Sequence, residues 1–154
     1  MLSLKSQPQG FELRAGSVSL NLEEAKLQLD ELSFTRPGEY EARGVEIIYG
    51  ETSALIIWER LQLVYIFGGS PPTAFERSQF APSDVILIGR TALSQLNKAH
   101  FSELLEIYDP KLAVLHPAVS TTALKDAVKF TNSESLKISA ASLPSEGREF
   151  VVLG

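Results

Sequence analysis

Cysteine is missing from this 154-residue chain, and histidine occurs only twice. The first absence removes both a disulfide framework and a thiolate metal site. The second matters because a catalytic zinc normally takes three protein ligands, often imidazoles. Basic charge is also scarce: 14 Lys and Arg stand against 19 Asp and Glu, for a formal charge of −5. That balance opposes nonspecific attraction to nucleic acid or to an anionic membrane, and no run of Lys or Arg counters it. No apolar segment approaches the roughly 20 residues needed to cross a bilayer. The opening stretch "MLSLKSQPQGFELRAG" has neither an apolar signal core nor a cleavage pattern, so the expected location is the cytoplasm.

What is present suits one compact domain over residues 1–154, since a composition 44% hydrophobic can bury a substantial core without staples. The first third alternates with period two, as strands with one buried face do. Leu2 and Leu4, Phe11 and Leu13, Val18, Leu20 and Leu22, Leu27 and Leu29, and Val45 and Ile47 follow this rule. Gln9-Gly10 and Ala15-Gly16 supply turn chemistry between them, and Arg36-Pro37-Gly38-Glu39-Tyr40-Glu41 reads as a polar turn before the last. Short antiparallel hairpins are predicted.

The middle is apolar at consecutive positions. "SALIIWE", "LQLVYIFG" and Val85-Ile86-Leu87-Ile88 therefore read as strands buried on both faces, with Glu59-Arg60 joining the first two. The loop "GGSPPTAFERSQFAPSD" holds Pro71, Pro72 and Pro82, which argue against one long helix. Asn97 can cap a helix whose stripe is Phe101, Leu104, Leu105 and Tyr108, with Pro110 just beyond it. "KLAVLHP" then returns as a strand, and strand, helix, strand predicts a parallel pair with a right-handed crossover. A second helix is predicted to start near Ser120 to Thr122, with Leu124, Ala127 and Val128 inward and Lys125, Asp126 and Lys129 outward. "SLKISAAS" and "EFVVLG" close the chain as strands.

The ordered series "PGEYEARGVEI", "LIIWERLQLVYIFGG", "DVILIG", the capped helix, "PKLAVLHP" and "LPSEGREFVVL" resembles the metallo-β-lactamase fold superfamily, in particular a small hydrolase-like branch. The match covers roughly residues 36 to 154, and weaker correspondence continues into the opening hairpins. The resemblance implies an α/β fold: a reduced αββα sandwich of mixed sheets with two main helices. It also implies hydrolysis by one or two metal ions, usually zinc, that activate water and polarise the substrate.

The ligand set that the resemblance implies is mostly missing here. The family's His-x-His-x-Asp-His loop is absent, and "NLEEAKLQLDELSFTR" is too short for that loop with its flanking strand and helix. Gly68-Gly69-Ser70 stands where the family places an Asp. Only His116, in "LAVLHPAV", matches a ligand position, that of the last His. The expectation is therefore no catalytic, cofactor-binding or metal-binding residues: His116 reads as a hydrogen-bonded histidine at a strand end, and His100 as a boundary residue of its helix.

Other constellations read as structure. Glu39, Glu41 and Glu46 sit near a turn, where carboxylates are usually solvated. Gly68-Gly69 lacks phosphate-loop spacing. Trp58, Tyr65 and Phe67 fit core packing. Thr91, Ser94 and His100 do not fall in an order that supports a hydrolase triad.

The expected function is that of a noncatalytic, metal-free pseudoenzyme with no cofactor, acting as a self-association or protein-binding module. The alternative is a metal-dependent hydrolase of a phosphodiester, lactone or related substrate, in which His116 and further carboxylates hold the metal. Nucleic-acid binding is the third reading, opposed by the acidic balance. Self-association follows from an expected surface: the face bearing Leu27 and Leu29 must find cover, and two-fold pairing is the commonest solution.

Overall fold

The structure is a computed structural model that describes residues 1–92, 97–119, 121–124 and 128–154. The period-two segments before residue 35, joined by one later strand, become a six-stranded antiparallel sheet. Its strands are β1 (Leu2–Gln7), β2 (Gly10–Ala15), β3 (Val18–Leu22), β4 (Leu27–Leu29) and β5 (Leu32–Phe34), with β13 (Ser135–Ile138) added beside β1. Register pairs Gln7 with Gly10 and Ala15 with Val18, so Pro8-Gln9 and Gly16-Ser17 form the two-residue turns. Gly10 thus belongs to β2 rather than to the turn. The interval between β3 and the next sheet holds the β4–β5 hairpin.

The chain then crosses to an eight-stranded sheet, in the order β12-β14-β11-β10-β9-β8-β7-β6. Four antiparallel strands come first: β6 (Gly38–Ala42), β7 (Val45–Tyr49), β8 (Ser53–Trp58) and β9 (Leu61–Ile66). Strands β10 (Val85–Ile88), β11 (Leu112–Leu115), β14 (Glu149–Leu153) and β12 (Thr131–Ser133) continue it in parallel. The predicted strand, helix, strand unit is present, with α2 (Lys98–Tyr108) between β10 and β11 and its cap at Asn97, whose Oδ1 accepts from the His100 N–H at 3.0 Å.

Two elements differ from expectation. Within Arg36–Glu41, read as a turn, Gly38 already opens the edge strand β6 (Gly38–Ala42): Glu39 and Glu41 are exposed while Gly38, Tyr40 and Ala42 are half-buried. The turn lies one step later at Arg43-Gly44, where φ values of +55° and +77° give the left-handed pair that a two-residue hairpin requires. The proline-bearing loop is, as expected, not one long helix; it holds α1 (Ala74–Phe80), a seven-residue helix started by Thr73 and Glu76 in a capping box. The helix predicted after Ser120 is, where described, a single 3-10 turn, Thr122–Leu124, which buries Leu124; Ser120, Lys125, Asp126 and Ala127 lie outside the described residues.

Two apolar layers result. Between the sheets lie Leu2, Leu4, Leu13, Leu20, Leu22, Leu27, Leu29, Val45, Ile47, Leu63 and Val114. Outside the larger sheet, Val64, Ile66, Ile86, Ile88, Ala113 and Leu115 meet Phe80 of α1 and Phe101, Leu104 and Tyr108 of α2. Both main helices cover this one face. The other face of the smaller sheet carries Ser3, Lys5, Glu12, Arg14 and Gln28, with no helix over it among the described residues. Leu27 and Leu29 are 0% and 1% exposed, so the chain's own second sheet covers the face expected to need a partner. Among the described residues no helix is long and apolar enough to cross a membrane.

Candidate functional site

Parallel strands align their carboxyl ends, and open α/β sheets bind ligands in the crevice beyond those ends. Here β9, β10 and β11 finish side by side at Phe67-Gly68, Gly89-Arg90 and His116-Pro117. The Gly89 N–H donates to Ile66 O at 2.9 Å, and the His116 N–H to Ile88 O at 3.0 Å. The turns of the smaller sheet close over this end, so the space between the sheets is framed by Gln7, Gln9, Phe11 and Glu24.

His116 is 4% exposed and bonded at both ring nitrogens. The Ala118 N–H donates to its Nδ1 at 3.1 Å, which leaves Nε2 as the N–H that donates to Gln7 O at 2.7 Å. In that neutral tautomer neither nitrogen keeps a lone pair for another partner. The ring holds the end of β11 to the end of β1, and so ties one sheet to the other.

Aromatic side chains fill the space beside it. Phe11 meets His116 edge-on at 5.7 Å between ring centroids and Tyr65 edge-on at 6.0 Å. Phe67 lies 5.7 Å from Tyr65 and 5.6 Å from Tyr49. Tyr65 is fully buried, and its hydroxyl has no hydrogen-bond partner among the described residues. Burial first, then the Glu24 carboxylate, pushes its phenol well above the usual range. The ring's outer end sits between two glycines. A Cβ at Gly10 would lie 1.8 Å from Leu22 O and 3.1 Å from the Tyr65 hydroxyl, and one at Gly89 would lie 3.1 Å from Ile66 O. Over this cluster Arg90 donates from Nε to Glu24 Oε1 at 2.5 Å and from Nη2 to Gln9 Oε1 at 2.7 Å.

The residues present do not fit a metal centre. Among the described residues no three His, Asp or Glu side chains converge to hold an ion. His100 sits in the first turn of α2, outside the larger sheet, whereas His116 lies between the sheets. Gly68 packs on Thr52, where a Cβ would lie 3.0 Å from Thr52 Cα. Glu46 lies on β7, four strand steps from β11, or about 19 Å at roughly 4.8 Å per step. Glu39 and Glu41 are a further step away on β6. Trp58 and Tyr65 belong to the core, with Phe67 packed against it. Ser94 lies outside the described residues.

Sequence reasoning missed a buried carboxylate at this same end of the larger sheet, beside the turn between β7 and β8. Glu76 is 0% exposed. Its Oε1 accepts from Thr52 Oγ1 at 2.5 Å and the Thr73 N–H at 2.9 Å. Its Oε2 accepts from the N–H groups of Thr52 and Ser53 at 2.9 and 3.0 Å and from Ser53 Oγ at 3.1 Å. Burial, the largest single influence, would raise its pKa, but the donors from Thr52, Thr73 and Ser53 together outweigh it and hold the carboxyl below its ordinary value. Gly50 makes room: a Cβ there would lie 2.6 Å from Glu76 Oε2. The Thr73-x-x-Glu76 spacing was the signal that could have found this group.

This architecture is that of the metallo-β-lactamase fold. The chain is similar to a proposed Zn-dependent hydrolase of that superfamily from Thermotoga maritima, with a TM-score of 0.69 over 99% of this chain and 98% of that one, at 14% identity. No family model matches the sequence, and no curated protein does. At that identity the likeness establishes the fold alone.

Proposed function

We propose that this chain is a noncatalytic, metal-free protein-binding module built on the metallo-β-lactamase fold. One observation carries the reading: His116, the histidine at the position of the family's last ligand, has both ring nitrogens engaged by backbone groups of its own chain. Around it the inter-sheet space is occupied by Phe11, Tyr65 and Phe67 rather than by carboxylates and imidazoles. A zinc that activates water needs about three protein ligands and an open position. The ground for self-association, an uncovered Leu27 and Leu29 face, is absent from the folded chain. The partner is therefore read as another protein.

The competing reading, a metal-dependent hydrolase of a phosphodiester or lactone, draws on the fold. It requires His116 to release Gln7 and Ala118 and carboxylates to converge on it. Calorimetric titration of chelator-treated protein with zinc and with manganese separates the two. The expected outcome is no stoichiometric high-affinity site and no hydrolysis of phosphodiester or lactone substrates above a buffer control. One tightly held ion per chain that disappears in His116→Ala, with turnover that chelation abolishes, would establish the hydrolase instead.

A further inference from the structure

The larger sheet ends at β6, which among the described residues pairs only with β7. Because Ala42 and Val45 flank a two-residue turn, ladder parity makes that pair hydrogen-bonded and the next pair, Glu41 opposite Glu46, non-hydrogen-bonded. The alternation continues, so Glu39 and Glu41 direct their N–H and C=O groups away from β7 to the open edge. A strand edge of this kind is a template for another strand.

Charge narrows what can use it. Glu41 and Glu46 face each other directly, a like-charged pair that destabilises the hairpin. Glu39, Glu41, Glu46 and Glu51 gather about this edge and its groove, and none of the four has an ion-pair partner among the described residues. Beside the edge runs a groove of about 410 Å³ bordered by Pro37, Gly38, Ile48, Tyr49 and Phe75. Phe75 is 51% exposed, an unusual position for so large an apolar ring.

From this edge, its charge and its groove we infer that β6 docks an extended, lysine- or arginine-bearing segment of a partner protein, which adds to the sheet beside Glu39 and Glu41 and places an apolar side chain against Phe75. The inference rests on the protein-binding reading above and names the partner's chemistry. A second copy of this chain is a poor occupant, because antiparallel β6 against β6 would gather the Glu39 and Glu41 side chains of both copies on one face. The charges that defend the edge against self-pairing select a basic strand.

The probe is a short fluorescent peptide with lysine, lysine and valine at successive alternate positions, so that all three share one strand face, and threonine between them; it is compared with one carrying glutamate in place of both lysines and with the lysine peptide broken by a central proline. Polarisation should detect binding of the first alone, and amide exchange at Glu39 and Glu41 should slow on binding. Glu41→Pro removes an outward N–H while leaving the ladder to β7, and should weaken binding at least about tenfold at an unchanged melting temperature. If that variant proves less stable, the Glu39→Lys, Glu41→Lys pair decides: it should lose affinity for the lysine peptide to a similar extent. Equal binding of the three peptides, unchanged exchange at the edge, or full affinity in the charge-reversed pair overturns the proposal. So does a dimer in light scattering that Glu41→Pro dissociates, since a second copy then holds the edge. None of these readouts involves a metal, so a zinc site would sink the pseudoenzyme reading alone, and peptide failure would sink this one alone.

Discussion

Replacing Glu76 by Gln keeps the size and shape of the side chain but changes one carboxylate oxygen into an NH2 donor. Every group around the carboxylate is a donor: the N–H groups of Thr52, Ser53 and Thr73 and the hydroxyls of Thr52 and Ser53. Hydroxyls can rotate, but backbone N–H groups cannot. Placed at Oε1, the amide NH2 faces the Thr73 N–H; placed at Oε2, it faces those of Thr52 and Ser53. The first orientation is less costly and still leaves one buried N–H unsatisfied, at about 1–3 kcal/mol. The remaining bonds also fall from charge-assisted to neutral strength, offset in part by the easier burial of an uncharged amide. A net loss of about 3 kcal/mol follows, a large part of the roughly 5–15 kcal/mol that a domain possesses. At about 2–4 °C per kcal/mol for a chain of this size, the melting temperature should drop by about 6–12 °C at pH 7.

The pH dependence is a second, independent handle on the same group. Glu76 has a folded pKa below its unfolded value, so its contribution is complete above the unfolded pKa near 4.5 and is lost as pH falls through the folded pKa. Glu76→Gln carries no such proton linkage. Calorimetric melts of both proteins should therefore converge as pH is lowered below about 4.5, while the remaining carboxylates act on both alike. A variant that loses less than about 1 kcal/mol at pH 7, or a difference that stays constant into acid, would falsify the idea that this charge pins α1 to the β7–β8 turn.

Tyr65→Phe removes a buried hydroxyl that has no partner among the described residues, so it should leave stability unchanged or raise it by about 1 kcal/mol, and a loss above about 1 kcal/mol in denaturant unfolding would show that the hydroxyl is satisfied. The same variant should unfold less readily in alkali: a phenol raised on folding contributes stability below pH 10 that is lost as pH climbs toward its folded value. Gly10→Ala should cost more than about 3 kcal/mol, because its methyl would meet the Leu22 carbonyl at 1.8 Å and force β2 from β3; a mild loss in chemical denaturation would mean that the strands separate easily there.

Local alternation carried most of the fold. Leu2, Leu4, Leu13, Leu20, Leu27 and Leu29 announce their strands because a strand with one buried face repeats every second residue, and burial follows that pattern. The same rule was available at 38–42, but Pro37-Gly38 is stronger punctuation than Tyr40 between two glutamates, and so the edge strand looked like a turn. Polar β12 (Thr131–Ser133) offers no apolar signal, since it exists by pairing with β14. Helix α1 is only seven residues long, too short to show a stripe, and its anchor Glu76 bonds to residues more than twenty positions away in sequence. At the strand ends, the place of His116 beyond β11 was legible in the sequence. The aromatic filling and the Arg90 to Glu24 and Gln9 contacts were not, because they join segments brought together only by the sandwich.

Filling the crevice changes what the fold requires of the histidine left in it. An imidazole that serves as a ligand must keep a lone pair directed at the ion and usually fixes its tautomer through the other nitrogen. His116 keeps the second half of that arrangement: its Nε2–H holds Gln7 O at 2.7 Å, as a ligating ring would hold a carbonyl behind it. The first half is turned onto the Ala118 N–H, a backbone donor two residues along. Phe11 meets the ring edge-on, and the ring is buried and bonded on both sides. Such a histidine stabilises the junction of two sheets at no cost in unpaired polarity. At the far margin of the larger sheet, β6 is an edge strand, and Glu39 and Glu41 on it have no ion-pair partner among the described residues. The docking proposed there draws on that edge and makes no use of the crevice.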